Sequence, residues 1–258
     1  MEGAPMWINL RRTLVASINL LLPPACLLCG QSLPDDHGKQ SFCQNCLSSM
    51  VPLDPAHCSC CAQTFPNFIF NPEATDESRK PAQHLCGTCL KRPATFSIVH
   101  AVGSYQGGIK DAVHRLKYRN QLTLAKPLGQ LLGKAVEAAG NDFVPDCIVP
   151  VPLHLDRLRQ RGYNQALEVI RPIAQQLSVP IDTTLLQRIR RTPPQQGLSA
   201  IERRSNLRNA FDLTMTPSAQ RILLVDDVMT TGETVRECCR TLLKGGIKEV
   251  QVAVVGRA

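Results

Sequence analysis

The stretch Arg221–Thr234, RILLVDDVMTTGET, limits what this chain can fold into more than any other. Ile222–Val225 is an unbroken apolar run of buried-strand length, and a helix reads from Gly232 onward. Val235, Cys238, Cys239, Leu242 and Leu243 recur at helical spacing, giving one apolar face to lay on a sheet. Gly245-Gly246 ends that helix, and Glu249–Val255 is a second apolar strand. A strand–loop–helix–strand unit of this kind belongs to a layered α/β domain.

The loop between strand and helix carries the chemistry. Backbone N–H groups and the helix dipole at its amino terminus suit an anion, phosphate above all. Thr230, Thr231 and Thr234 add hydroxyl donors, and Gly232 permits close backbone approach or a positive φ. Asp226 and Asp227 are expected one loop away, able to accept hydrogen bonds from sugar hydroxyls or to hold Mg²⁺ through water. A phosphate at one end and a diol at the other describe a ribose 5-phosphate. The P-loop pattern G-x-x-x-x-G-K-[ST] is absent. Asp-Asp followed by T-T-G-x-T resembles the phosphoribosyl pyrophosphate (PRPP) motif of type I phosphoribosyltransferases. The competing reading is a Walker-B-like acid pair ahead of an ordinary capped helix.

The amino-terminal third is dominated by cysteine. Of the 12 cysteines, eight form four C-x-x-C pairs: Cys26/Cys29, Cys43/Cys46, Cys58/Cys61 and Cys86/Cys89. Each pair points two thiolates at one ion, so four pairs make two closed, structural Cys₄ zinc sites rather than disulfides. Sequential pairing gives a double zinc ribbon and interleaved pairing a cross-brace; spacing leaves both open, with sequential preferred. Cys60 is an extra thiol inside the third pair, and His57 and His84 read as surface residues. Gly30 and Gly87 are expected to supply the tight turns. Pro66–Gln83 reads as a polar loop between the last two pairs.

With 43% hydrophobic residues in 258, the chain has the material for one substantial domain and a small one. A net charge of +8 favours polyanionic ligands, while only 4% aromatics argues against a base-stacking platform. No secretory signal or membrane-spanning segment is expected, which points to the cytoplasm. Ile8, Leu10, Leu14, Val15, Ile18, Leu21 and Leu22 suggest an amphipathic helix over 1–25, packed on its own protein or, second choice, on a membrane surface. A zinc-ribbon region over 26–96 and an α/β domain over 97–258 complete the expected layout.

Along that domain, Ser97–Tyr105 reads as a strand, Ile109–Tyr118 and Leu122–Ala139 as helices, and Cys147–Val151 as a buried strand. A basic loop with Arg157, Arg159 and Arg161 follows at that strand's carboxyl end, the edge along which open α/β sheets bind ligands. Ala166–Leu177 is a helix and Leu185–Arg191 a strand. After the loop Thr192–Gly197, Ser199 and Glu202 form a capping box for a helix over Ala200–Ala210, and Phe211–Leu213 is a short strand. The alternation predicts a doubly wound, largely parallel sheet.

The whole layout resembles the ComF family of phosphoribosyltransferase-like proteins. The matching features are PPACLLCG with its zinc knuckles, HRLKY at His114–Tyr118, VPVP followed by RQRGYNQA, QQGLSAIERRSNLRNAF and LLVDDVMTTGET. The long spacer after Cys61 and the additional Cys60 depart from that pattern. The resemblance implies that Asp226 and Asp227 meet the ribose hydroxyls as the catalytic acids. It implies that Val228, Met229, Thr230, Thr231, Gly232, Glu233 and Thr234 wrap the 5-phosphate. The pyrophosphate loop would include Val151, Pro152, Arg157 and Arg161, and a flap would include Gln196, Arg203 and Arg204. Mg²⁺ would accompany PRPP. It further implies a role in natural competence, with single-stranded DNA and DNA-import proteins as partners. The alternatives are a transferase in nucleobase salvage, for which no general base or acceptor pocket declares itself, and a PRPP-sensing regulator without turnover. A transcriptional regulator ranks last, because no helix-turn-helix is evident.

Overall fold

The computed structural model describes residues 23–34, 40–65, 84–140, 143–191 and 200–258. The amino-terminal helix expected over 1–25 and the loop expected over Pro66–Gln83 fall almost wholly outside them. The chain divides after Met50 into two compact units, so the cluster of Cys58, Cys61, Cys86 and Cys89 shares a unit with the sheet. Among the described residues, no helix is long and apolar enough to cross a membrane.

In the first unit, one knuckle turns at Cys26–Gln31, where Gly30 takes φ +76° and donates to the Cys26 carbonyl (2.8 Å). Cys43 then caps helix α1 (Gln44–Ser48), bringing Cys46 onto its first turn. Cys26, Leu28, Leu33, Phe42 and Cys43 are buried together as a small core.

The second unit repeats this device. Ala62, not a glycine, takes the positive φ (+54°) and donates to the Cys58 carbonyl at 2.9 Å. Cys86 caps α2 (Gly87–Lys91), and Gly87 sits in that helix without a positive φ. Gly87 therefore corrects the expectation that it forms a turn; the helix start needs no special backbone there.

The sheet that follows is parallel, in the order β1 (Val99–Ser104), β6 (Glu249–Arg257), β5 (Arg221–Met229) and β2 (Cys147–Pro150). Between these strands the chain forms α3 (Gly107–Tyr118), a 3₁₀ turn (Leu122–Leu124), α4 (Ala125–Ala138), α5 (Leu155–Arg161), α6 (Gln165–Leu177), α7 (Ala200–Leu207) and α8 (Glu233–Lys244). β3 (Leu186–Arg188) and β4 (Phe211–Leu213) pair antiparallel as a separate ribbon. Ile222 and Leu224 of β5 join Val235, Cys238 and Leu242 of α8 in one buried cluster, together with Val250, Val252 and Val254 of β6. Alternation along the strand sends Leu223 and Val225 to the other face, where α4 and α6 pack against the sheet. Parallel strands covered on both faces read as continuous apolar runs, which is why the run Ile222–Val225 was legible as a strand.

β5 runs further than those four residues. Its pairing with β6 continues through Asp226 opposite Val254 to Met229 opposite Arg257. Asp226 and Asp227 thus lie within the strand instead of in the loop after it, because β6 is long enough to pair them.

Candidate functional site

Each cysteine cluster gathers its thiols from two consecutive C-x-x-C pairs: Cys26, Cys29, Cys43 and Cys46 in one, Cys58, Cys61, Cys86 and Cys89 in the other. The pairing is sequential. All sulfurs within a cluster lie within 4.8 Å of one another, with Cys29–Cys43 and Cys61–Cys86 at 3.6 Å. A zinc ion with Zn–S bonds of about 2.3 Å needs tetrahedral edges of about 3.8 Å. Both clusters fit zinc in closed, structural sites. In each cluster one thiol is set towards the thiolate. Burial raises the Cys26 and Cys58 pKa values, but backbone donors from both knuckles of each cluster outweigh it and lower them to about 6 and about 7. Cys60 is not in the cluster; its Sγ faces the Phe96 carbonyl.

Arginines tie the second cluster to the loop after β5. Arg257, at the end of β6, donates through Nε to the Cys61 carbonyl (2.7 Å) and through Nη1 to the carbonyls of Met229 (3.1 Å) and Thr230 (2.6 Å). Arg236, on α8 and 3% exposed, donates through Nη2 to Cys89 Sγ (3.4 Å) and lies 5.4 Å above the Phe96 ring. A zinc ion held by four thiolates keeps net negative charge, so a buried guanidinium beside one of its sulfurs is compensated there. Arg92 grips Glu233 with both forks, at 2.9 and 3.3 Å. Glu233 lines the cavity beside the loop, and its pairing with Arg92 anchors the start of α8.

That loop has the form an anion site requires. Gly232 is the residue before α8 and takes φ +77°, and Thr230, Thr231 and Thr234 surround it. Met229 is buried beneath, its Cε in the space a side chain at Gly232 would claim. A cavity of about 610 Å³ adjoins the loop, lined by Met229, Thr230, Thr231 and Arg257 on one side and Gln63, Thr88, Lys91 and Arg92 on the other. Neither aspartate lines it.

The acid pair is split by the strand. Consecutive residues of β5 point to opposite faces, so Asp226 shares the face of α8 and Asp227 the face of α3. The Asp227 carboxylate meets Lys117 Nζ at 2.7 Å, with 9% and 19% of the two side chains exposed. Asp226 accepts the backbone N–H of Asp227 at 2.8 Å. Burial, and then the neighbouring Asp227 charge, push the Asp226 pKa up to about 7. Lys117 ends above the ordinary lysine value. Burial alone would lower it, but the charge and hydrogen bond of Asp227 outweigh that.

The segment expected as a basic loop after β2 is instead mostly the helix α5, capped by His154 and closed by Gly162 at φ +81°. A largely solvent-facing run of two leucines among charged and polar residues satisfies a short helix as well as a loop, and the His154 cap and Gly162 decide it. Val151 is buried, Pro152 is half-buried, and Arg157 acts electrostatically on Arg188. Arg161 bonds Gln165 (2.6 Å) and lies over the Tyr118 ring, while Tyr163 donates to the Leu116 carbonyl. Asn164 caps α6 and donates to the Val151 carbonyl at 3.1 Å. RGYNQ thus clamps the end of α3 that bears Lys117. Gln196 and the side chains of Arg203 and Arg204 lie outside the described residues.

Sequence reasoning passed over Lys117, Arg257 and Arg188. Lys117 stands in the quoted HRLKY run, the one available signal. Arg188, half-buried beside Phe211, influences Asp226 from the β3–β4 ribbon, and nothing in its local sequence marks it.

Comparison with known proteins adds two family matches: a phosphoribosyl transferase domain over residues 164–257 and a double zinc ribbon domain over residues 17–90. The chain is 34% identical to Competence protein F of Haemophilus influenzae over 84% of its own length and 96% of that protein. It is 32% identical to DNA utilization protein YhgH of Escherichia coli K12, covering 90% and 96% respectively. Competence protein ComFC of Streptococcus pneumoniae matches at 25% identity, covering 88% and 96%.

Proposed function

This chain belongs to the ComF family, and from that premise we propose that it is a PRPP-binding, phosphoribosyltransferase-like protein that handles incoming single-stranded DNA in the cytoplasm. The observation that carries PRPP binding is the junction of β5 and α8: Thr230–Thr234 around a left-handed Gly232, directly after two aspartates. Val228–Thr234 takes the 5-phosphate, Asp226 and Asp227 take the ribose hydroxyls, and Arg157 and Arg161 meet the pyrophosphate, whose oxygens suit guanidinium forks. Gln196, Arg203 and Arg204 belong to the covering flap. The DNA role rests on the names of the relatives and on the charge of +8, which favours a polyanion.

Magnesium accompanies the pyrophosphate of the ligand. The acid pair offers it no open seat, since Asp227 already holds Lys117 and strand alternation turns Asp226 the other way. The test is calorimetric titration of PRPP with Mg²⁺. Wild type binds in the micromolar range, on the order of −8 kcal/mol, and Asp226→Asn/Asp227→Asn loses at least tenfold. No binding by wild type would reject the reading.

A second reading, transfer to an acceptor, draws on the cavity of about 610 Å³. It is walled by Arg257 of β6, whereas Arg157 and Arg161 follow β2, and β5 lies between those strands. Displacement at the anomeric carbon places nucleophile and leaving group on opposite sides of the sugar, so an acceptor there would face away from the pyrophosphate. Stabilising the departing charge would be the arginines' task. Pyrophosphate release from PRPP with a panel of nucleobases decides between turnover and binding alone.

A further inference from the structure

We propose that Lys117 is the resident cation of the acid pair: its ammonium takes the place a divalent metal would hold at Asp227, so that this carboxylate reads a sugar hydroxyl and not a metal ion. The proposal rests on the PRPP reading for the sugar but not for the metal.

Three observations carry it. The first is the contact itself, 2.7 Å between Lys117 Nζ and Asp227 Oδ1, with both side chains largely buried. A charge taken out of water is costly unless paired, and here the ammonium and the carboxylate partner each other. The second is that Lys117 does not arrive by chance of a flexible surface chain. It stands in the last turn of α3, between Leu116, whose carbonyl accepts from Tyr163, and Tyr118, whose ring lies under Arg161. Both neighbours are thus pinned by the segment after β2. The third is the direction of the two aspartates. A magnesium ion demands near-octahedral oxygen ligands at about 2.1 Å. Strand alternation turns the two carboxylates towards opposite faces, and Asp227 is already engaged by Lys117. The second oxygen of Asp227 remains an acceptor, held in one orientation by Lys117, which is what recognition of a hydroxyl needs. In this role Lys117 is a positioning residue.

The test uses the full-length, zinc-loaded protein with no PRPP and Mn²⁺ as the metal probe, its free concentration read by electron paramagnetic resonance. Wild type and Asp227→Asn should bind Mn²⁺ equally, because Asp227 is not a metal ligand. Mn²⁺ binding in wild type that Asp227→Asn abolishes would overturn the proposal. Lys117→Gln should gain Mn²⁺ affinity at least threefold, and adding Asp227→Asn should remove the gain; an unchanged affinity in Lys117→Gln would also overturn it. Should Lys117→Gln fail to fold, the comparison of wild type with Asp227→Asn decides alone. A parallel titration with ribose 5-phosphate, which carries no pyrophosphate, keeps the two ideas apart. If wild type fails to bind it while the Mn²⁺ results hold, the sugar reading falls and the resident cation stands. If it binds, Lys117→Arg should keep more of the affinity than Lys117→Gln; equal loss in both would count against a positioning role.

Discussion

Lys117 Nζ and Asp227 Oδ1 lie 2.7 Å apart beneath the carboxyl end of β5, joining α3 to the strand that bears the acid pair. Removing one member of a buried pair leaves the other charged and unpartnered, which costs about 3 kcal/mol or more. Lys117→Met is expected to lower unfolding free energy by that amount in urea titrations, and Lys117→Met/Asp227→Asn to recover part of it. Additive single effects in that cycle would show that the pair is not coupled.

Asp226 predicts a pH dependence. Its folded pKa, raised to about 7, lies above the unfolded value of about 4, so the folded state binds the extra proton. The contribution of Asp226 to stability therefore falls as pH rises from about 4 to about 7 and levels off above. Asp226→Asn should stabilise the protein at pH 8, by up to about 4 kcal/mol from 1.36 kcal/mol per pKa unit, and change little at pH 4. Melting temperatures of both proteins across that window are the measurement.

Gly232 sits at φ +77°, where a side chain is strained whatever space surrounds it. Gly232→Ala should cost about 1–2 kcal/mol. Since Met229 Cε would also be displaced from beneath the loop, PRPP affinity should drop at least tenfold. Calorimetry on the folded variant checks this.

Arg257 bonds the Cys61 carbonyl of the second cluster and the carbonyls of Met229 and Thr230 at once. Zinc loss should therefore loosen the loop. Hydrogen exchange of residues 229–234 is expected to quicken when zinc is chelated, and Arg257→Ala should quicken it with zinc still bound. Met229 keeps the Ala258 N–H on its carbonyl and Thr230 is exposed, so the cost falls mainly on the Cys61 carbonyl, about 1–3 kcal/mol.

Cys60 and Cys58 stand two residues apart in the same knuckle. Cys58→Ser should cost a zinc ion, whereas Cys60→Ser should retain full zinc content, because the Cys60 sulfur lies against the Phe96 carbonyl and is not one of the four gathered sulfurs. Metal analysis of the purified variants separates them.

What the chain's own sequence determined was local. The apolar run Ile222–Val225 could only be a covered strand, the face from Val235 to Leu242 only a helix upon it, and eight cysteines in C-x-x-C spacing only ligands of a metal. Each of these follows from periodicity or from ligand geometry within a few residues. Tertiary structure alone decided the rest. The order of the zinc knuckles depends on which loops meet in space. The length of β5 depends on β6 pairing it as far as Met229, which draws both aspartates into the strand and turns them to opposite faces. Lys117, Arg188 and Arg257 reach the site from α3, β3 and the end of β6. A buried charge finds its partner across the fold, and no spacing along the chain records that distance.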